Sequence, residues 1–171
     1  MHSLRPTGTA ILVALTVFGA SGGTPARASK DDIAISGTYR ATSIGDWAKT
    51  NEQYHDEVTT TSIWTISSSC TTSQDCTGTV ISDQGWSAPL TMHDGAMWYV
   101  KRDVPNWETC PDGTSYPGRQ TFYFYPVNAD GLEQAGSPTL AGKDRTVGPS
   151  GACGQNTALA VEMPFRLDKI S

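Results

Sequence analysis

Near the end of the chain, apolar side chains recur at every second position. In TALAVEMPFRLDK, Leu159, Val161, Met163, Phe165 and Leu167 share one face, and Ala158, Ala160, Glu162, Pro164, Arg166 and Asp168 share the other. Successive side chains of a strand point to opposite sides, so this pattern predicts a half-buried strand with a wet outer face. Proline has no N–H to give to a ladder, so Pro164 predicts an edge or a bulge there. The same alternation marks IAISGTYRATSI, with Ile33, Ile35, Tyr39 and Ala41 on one face. VTTTSIWTIS is rich in β-branched residues and runs into Cys70, and CTGTVIS leaves Cys76 as its return partner.

In WSAPLTMHDGAMWYVKRD, Asp94-Gly95 predicts a two-residue turn with positive φ between two apolar arms. RQTFYFYPV is a further strand, turned back by Asn128–Gly131, and the Gly-rich stretch after it holds one short strand near Thr139. ATSIGDWAKTNEQYHDE is the one candidate for a short helix, capped by Asp46 and anchored by Trp47. About eight strands in neighbouring order, joined by tight turns, predict an all-β fold. The economical form is an antiparallel meander closed, or partly closed, into a small barrel, because closure removes exposed edges. A β-sandwich is the alternative.

The first residues change the reading from a bare fold to a compartment. A mildly basic start, an apolar run from Thr9 to Ala20 and Ala26-Arg27-Ala28 form the pattern of a secretory signal peptide over residues 1–28. The run is shorter than the roughly 20 residues a spanning helix needs, and no later segment is long and apolar enough, so no integral membrane span is expected. Residues 29–171 then form a single secreted β domain, outside the cell or in the envelope space. Without Arg5 and Arg27, 10 of the 12 basic residues face 17 acidic ones, a formal charge of −7. That balance argues against nucleic acid as a partner, which needs a basic footprint.

All four cysteines (Cys70, Cys76, Cys110, Cys153) lie in the exported part. An even number in an exported chain predicts two disulfides. Three pairings are possible; Cys70–Cys76 with Cys110–Cys153 is preferred because the first pair closes a hairpin end. In the chain-entropy account the short ring contributes about 2 kcal/mol and the long one about 4 kcal/mol.

Candidate chemistry is sparse. C-x₅-C is neither a zinc spacing nor a redox C-x-x-C, so no metal and no cofactor are expected. GPSGA at 148–152 has alanine where a nucleophile elbow needs its second glycine, and it lacks the flanking strand and helix. No catalytic residue is therefore assigned. His55, Asp56, Glu57, Asp103 and Glu108 are the acid–base candidates if the protein is a hydrolase, with Asp103 and Glu108 flanking a VPNW loop. The aromatics are the stronger signal. Trp64, Trp86, Trp98 and Trp107 lie on or beside strands, and in RQTFYFYPV Phe122 and Phe124 oppose Tyr123 and Tyr125. One of those two pairs must be core. Trp64, Trp98, Phe122, Phe124, Tyr123 and Tyr125 are the candidate ligand-binding residues.

GTYRATS, SIWTISSSC with CTGTV, MWYVKRDVPNWETCPDGT, TVGPSGACG and MPFRLDKI together cover nearly all of the exported part. In these stretches the chain resembles a group of small secreted proteins from mycobacteria and related actinobacteria. The strand pattern and the Gly37-Thr38-Tyr39 start are loosely similar to a lipocalin-like β domain, with tyrosine where the lipocalin G-x-W signature has tryptophan. The resemblance implies a secreted β domain and carries over no catalytic residue. The leading expectation is an exported, non-enzymatic β domain that binds a small apolar ligand or an envelope component. The alternatives are a protein-binding or inhibitor module presenting the disulfide hairpin, and a secreted hydrolase with an unrecognised acid–base pair.

Overall fold

The computed structural model describes residues 30–171, so the expected leader lies outside the described residues. Ten strands form one sheet: β1 (Gly37–Ser43), β2 (Lys49–Thr50), β3 (Gln53–Tyr54), β4 (Thr60–Cys70), β5 (Cys76–Ser82), β6 (Ser87–Met92), β7 (Trp98–Thr109), β8 (Ser115–Pro126), β9 (Thr139–Val147) and β10 (Ala160–Lys169). From β4 to β10 each strand pairs antiparallel with the next in sequence. β1 pairs with β4 on one side and with β10 on the other, in register from Tyr39↔Lys169 to Ser43↔Phe165. That second pairing closes the meander into an eight-stranded barrel, and the small β2–β3 hairpin adds to the free side of β10. The expected all-β barrel is the observed fold.

Inside, the alternation seen in the sequence becomes a core. Tyr39, Ala41, Trp64, Ile66, Val80, Leu90, Met92, Trp98, Val100, Phe122, Phe124, Leu140, Phe165 and Leu167 are all buried. Trp64 is the hub, edge-on to Trp86 and Phe122 at centroid distances of 5.3 and 4.9 Å and tilted against Phe165 at 5.2 Å. Aromatic pairs prefer such edge-on geometry because the positive ring edge meets a negative face. One end of the barrel is sealed by the segment before β1. Ile35 is buried there, and its backbone N–H and C=O exchange hydrogen bonds with Ser68 Oγ at 2.9 and 2.7 Å.

The disulfides sit at opposite ends. Cys70–Cys76 joins the facing ends of β4 and β5 at the sealed end. Cys110–Cys153 ties the β7–β8 turn to the β9–β10 connection at the other end. This is the pairing preferred from the spacing, and among the described residues no cysteine is free.

Several local expectations are corrected. The segment after β1 holds no longer helix, only a single 3₁₀ turn at Gly45–Trp47 followed by β2 and β3. Asp46 does not cap it, and Trp47 is no anchor, being 64% exposed. Asp94-Gly95 is not a two-residue hairpin turn: β6 and β7 are joined by residues 93–97, and only Gly95 has positive φ. There the Asp94 carboxylate accepts from the Ala96 and Met97 N–H groups, which holds its pKa below the usual value. VPNW is not a loop but part of β7, where the register slips between Val104 and Glu108 and Asn106 takes φ 52°. β9 is a full nine-residue barrel strand rather than a short one. Pro164 does not make β10 an edge strand, but it falls where pairing on one side is interrupted: it faces Lys143 of β9, and on the other side it lies between the β1 ladder and the β2 pairing, where its carbonyl accepts from Ile44 N–H.

Removing the hub should be costly. Trp64→Ala is expected to lower the unfolding free energy by about 3–5 kcal/mol, read from urea unfolding of the oxidised protein. A loss below about 1 kcal/mol would contradict a core organised on this ring.

Candidate functional site

The end away from the N-terminal seal is not filled with apolar side chains. Three inward positions there, each in phase with a buried apolar residue of its own strand, carry polar groups: Arg102 two after Val100, Gln120 two before Phe122 and Asp144 four after Leu140. Arg102 and Gln120 are direct partners across β7 and β8, and β9 is the next strand over. Arg102 Nε donates to Gln120 Oε1 at 2.7 Å, and Gln120 Nε2 donates to Asp144 Oδ1 at 2.8 Å. From across the barrel seam, Ser43 Oγ donates to Asp144 Oδ2 at 2.7 Å.

Asp144 is 2% exposed. Burial pushes its pKa up, because a carboxylate loses hydration there, while the Ser43 and Gln120 hydrogen bonds and the Arg102 charge pull it back. Burial likewise pushes the Arg102 pKa down, and Asp144 opposes that. An arginine starts so high that it stays charged. Its guanidinium carbon lies 4.4 Å from the Trp86 ring centroid, a cation–π contact.

Above this row is a cavity of about 300 Å³, open at the barrel end. Trp64, Trp86 and Phe122 form its aromatic side, Met163 and Val161 its β10 side, and Glu57 and Val58, from the β3–β4 connection, its rim. Trp107 joins the wall from the bulged end of β7. It can lie there because Gly118 leaves room: a Cβ on Gly118 would fall 2.7 Å from Trp107 Cδ2. Trp64 Nε1 donates to Ser62 Oγ at 3.0 Å, but Trp86 Nε1 is buried with no hydrogen-bond partner.

Of the candidate ligand-binding residues, Trp64 and Phe122 line this cavity. Phe124 is enclosed in the core below it. Trp98 lies toward the sealed end, beside a separate cleft of about 570 Å³ whose wall includes Asp32–Ser36. Tyr123 and Tyr125 are half-buried on the opposite face of β8, with Tyr123 6.5 Å from Tyr99. The acid–base candidates do not form one cluster. His55 Nδ1 lies 3.2 Å from Glu57 Oε1 on the surface, whereas Asp103 pairs with Arg119 at 3.6 Å. Glu108 turns toward Gly148, where a Cβ would meet its Oε2 at 2.5 Å. Ser150 of GPSGA donates to the Asn156 carbonyl within its own turn. Among the described residues no three His, Cys, Asp or Glu side chains group so as to hold a metal, and no helix is long and apolar enough to cross a membrane.

Sequence reasoning missed Arg102, Gln120 and Asp144. The available signal was phase: each falls on the same alternating face as the core residues of its own strand.

These features define a class: a disulfide-stapled, eight-stranded antiparallel barrel, sealed at one end and hollow at the other over a polar row. No protein-family model and no curated protein matches the sequence. Among solved structures, the fold is similar to the monomer form of the M. tuberculosis PknI sensor domain, with a TM-score of 0.53 and 13% identity over 80% of this chain and 88% of that one. At that identity the likeness speaks for the fold.

The buried carboxyl has a signature in pH. Because its folded pKa is raised, the folded protein binds this proton more tightly than the unfolded chain does. Its contribution to stability is therefore greatest at low pH and falls as pH rises above the ordinary value of 3.8. The melting temperature of the wild type minus that of Asp144→Asn should fall as pH is raised from below 3.8 toward neutrality. A difference that stays constant or rises would contradict a raised Asp144 pKa.

Proposed function

We propose that the protein is an exported, non-enzymatic β domain that captures a small ligand, apolar in most of its body, in the cavity at the open end of the barrel. The observation that carries this reading is the cavity itself, about 300 Å³ and lined by Trp64, Trp86 and Phe122 over polar groups from three adjacent strands. An apolar, aromatic-walled hollow with a few convergent polar groups is the usual form of a small-molecule site. The structural neighbour is a sensor domain, which is in keeping with a binding role. The leader pattern of residues 1–28 and the two disulfides support export, because disulfides persist in oxidising compartments. The scattered acid–base candidates favour binding over hydrolysis.

The disulfide-hairpin alternative has less support. The tip is tied up in its own turn, with Thr72 Oγ1 donating to Asp75 Oδ2 and His93 lying 3.2 Å from Asp75 Oδ1.

Residues 29–171, produced through an oxidising compartment and purified under native conditions, should yield a stoichiometric small molecule when extracted for mass spectrometry. Val161→Trp, which places a large ring in the cavity, should abolish that retention while the protein stays folded. Equal retention by this variant would move the ligand elsewhere, and the absence of any retained molecule from freshly isolated wild type would remove the captured-ligand reading.

A further inference from the structure

Most of the hydrogen-bonding capacity of the polar row is used within the protein. Asp144 has both carboxylate oxygens engaged, by Ser43 and Gln120. Gln120 accepts through its oxygen and donates through its nitrogen. Glu57, at the rim, accepts from Thr50 Oγ1 at 3.3 Å and lies beside His55. What is left over is donors. Arg102 makes one hydrogen bond to the described residues, through Nε, so its two Nη groups have no partner there. A guanidinium with free Nη groups, stacked on Trp86 at the wall of an aromatic-lined cavity, calls for a ligand that accepts.

We infer that the ligand carries a carboxylate, held by the Nη groups of Arg102, with its apolar body against Trp64, Phe122 and Met163. This rests on the cavity being the binding site. The free edge of a guanidinium matches the two oxygens of a carboxylate, and the charge is compensated on contact. Asp144 does not compete for this position, because Gln120 stands between it and Arg102 and both its oxygens are occupied. Glu57 is the opposing charge at the rim, and its half-open setting beside His55 leaves it largely screened by solvent. The size of the cavity sets the other limit. About 300 Å³ is at the small end for ligand pockets and suits a medium-chain or single-ring acid rather than a long lipid.

Octanoate, methyl octanoate and octylamine share one body and differ in the head group. Titrated into oxidised residues 29–171 and followed by calorimetry and by tryptophan fluorescence, octanoate is expected to bind, with the ester and the amine weaker by about tenfold or more. Arg102→Gln should weaken octanoate by about tenfold or more. Arg102→Lys, which keeps the charge and removes the two-nitrogen fork, should weaken it by about three- to tenfold; it serves as the check if Arg102→Gln does not fold. Val161→Trp should abolish binding. Octanoate that binds no better than the ester or the amine, or that does not bind at all, overturns the carboxylate inference. So does unchanged affinity in both head-group variants. If Val161→Trp still blocks whichever probe binds, the cavity reading survives that failure. Octanoate binding that persists in Val161→Trp overturns the cavity reading and the inference together.

Discussion

Closure of the barrel by β1 against β10 is the constraint on which the rest depends. β1 comes from one end of the domain and β10 from the other, so their ladder joins residues more than a hundred positions apart, from Tyr39↔Lys169 to Ser43↔Phe165. Such long-range pairing fixes a large chain entropy for each contact made, and a closed barrel recovers it by leaving no edge of the ring unpaired. The same ladder brings Ser43 to Asp144, a hydrogen bond spanning 101 residues. The polar row at the open end is complete only in the closed form.

That row explains why the barrel has two different ends. At the sealed end Ile35, Tyr39, Met92, Trp98 and Leu140 are apolar or aromatic and buried. At the other, a buried carboxylate must be solvated by the protein. Ser43 and Gln120 supply that solvation, and Arg102 supplies a charge at one remove. A network of this kind stabilises only when every member is satisfied, and a partly satisfied one is worse than an apolar core. Asp144 and Gln120 are satisfied within the protein, while the Nη groups of Arg102 find no acceptor among the described residues. That free end lines a hollow, which makes the hollow a place for a ligand instead of a packing fault. Cys110–Cys153 braces that end by tying together the two connections beyond β7 and β9.

Much of this architecture was legible in the alternation of side chains. Leu159 to Leu167 marked β10, Phe122 and Phe124 marked the inner face of β8, and the cysteine spacing in an exported chain pointed to the pairing observed. Features set by local backbone geometry were not legible. The β2–β3 turn places Asn51 and Glu52 both at positive φ, with no glycine to announce it. The slip in β7 lets one strand bend through VPNW, a sequence that reads as a loop because of its proline and asparagine. The site itself was hidden for a different reason. Inward positions are recognised by being apolar, so Arg102, Gln120 and Asp144, which are inward and polar, read as outer-face residues on chemistry and as inner-face residues only on phase.

The central claim is that the open end of the barrel holds a ligand between the aromatic wall and the guanidinium of Arg102. The most direct test is a high-resolution crystal structure of the oxidised protein isolated without denaturation from its own host. The account predicts continuous non-protein density in the cavity, in contact with Trp64 and Phe122 and within hydrogen-bond distance of the Arg102 Nη groups. A cavity closed by Arg102 and Trp107 folding inward, with no such density, would contradict it.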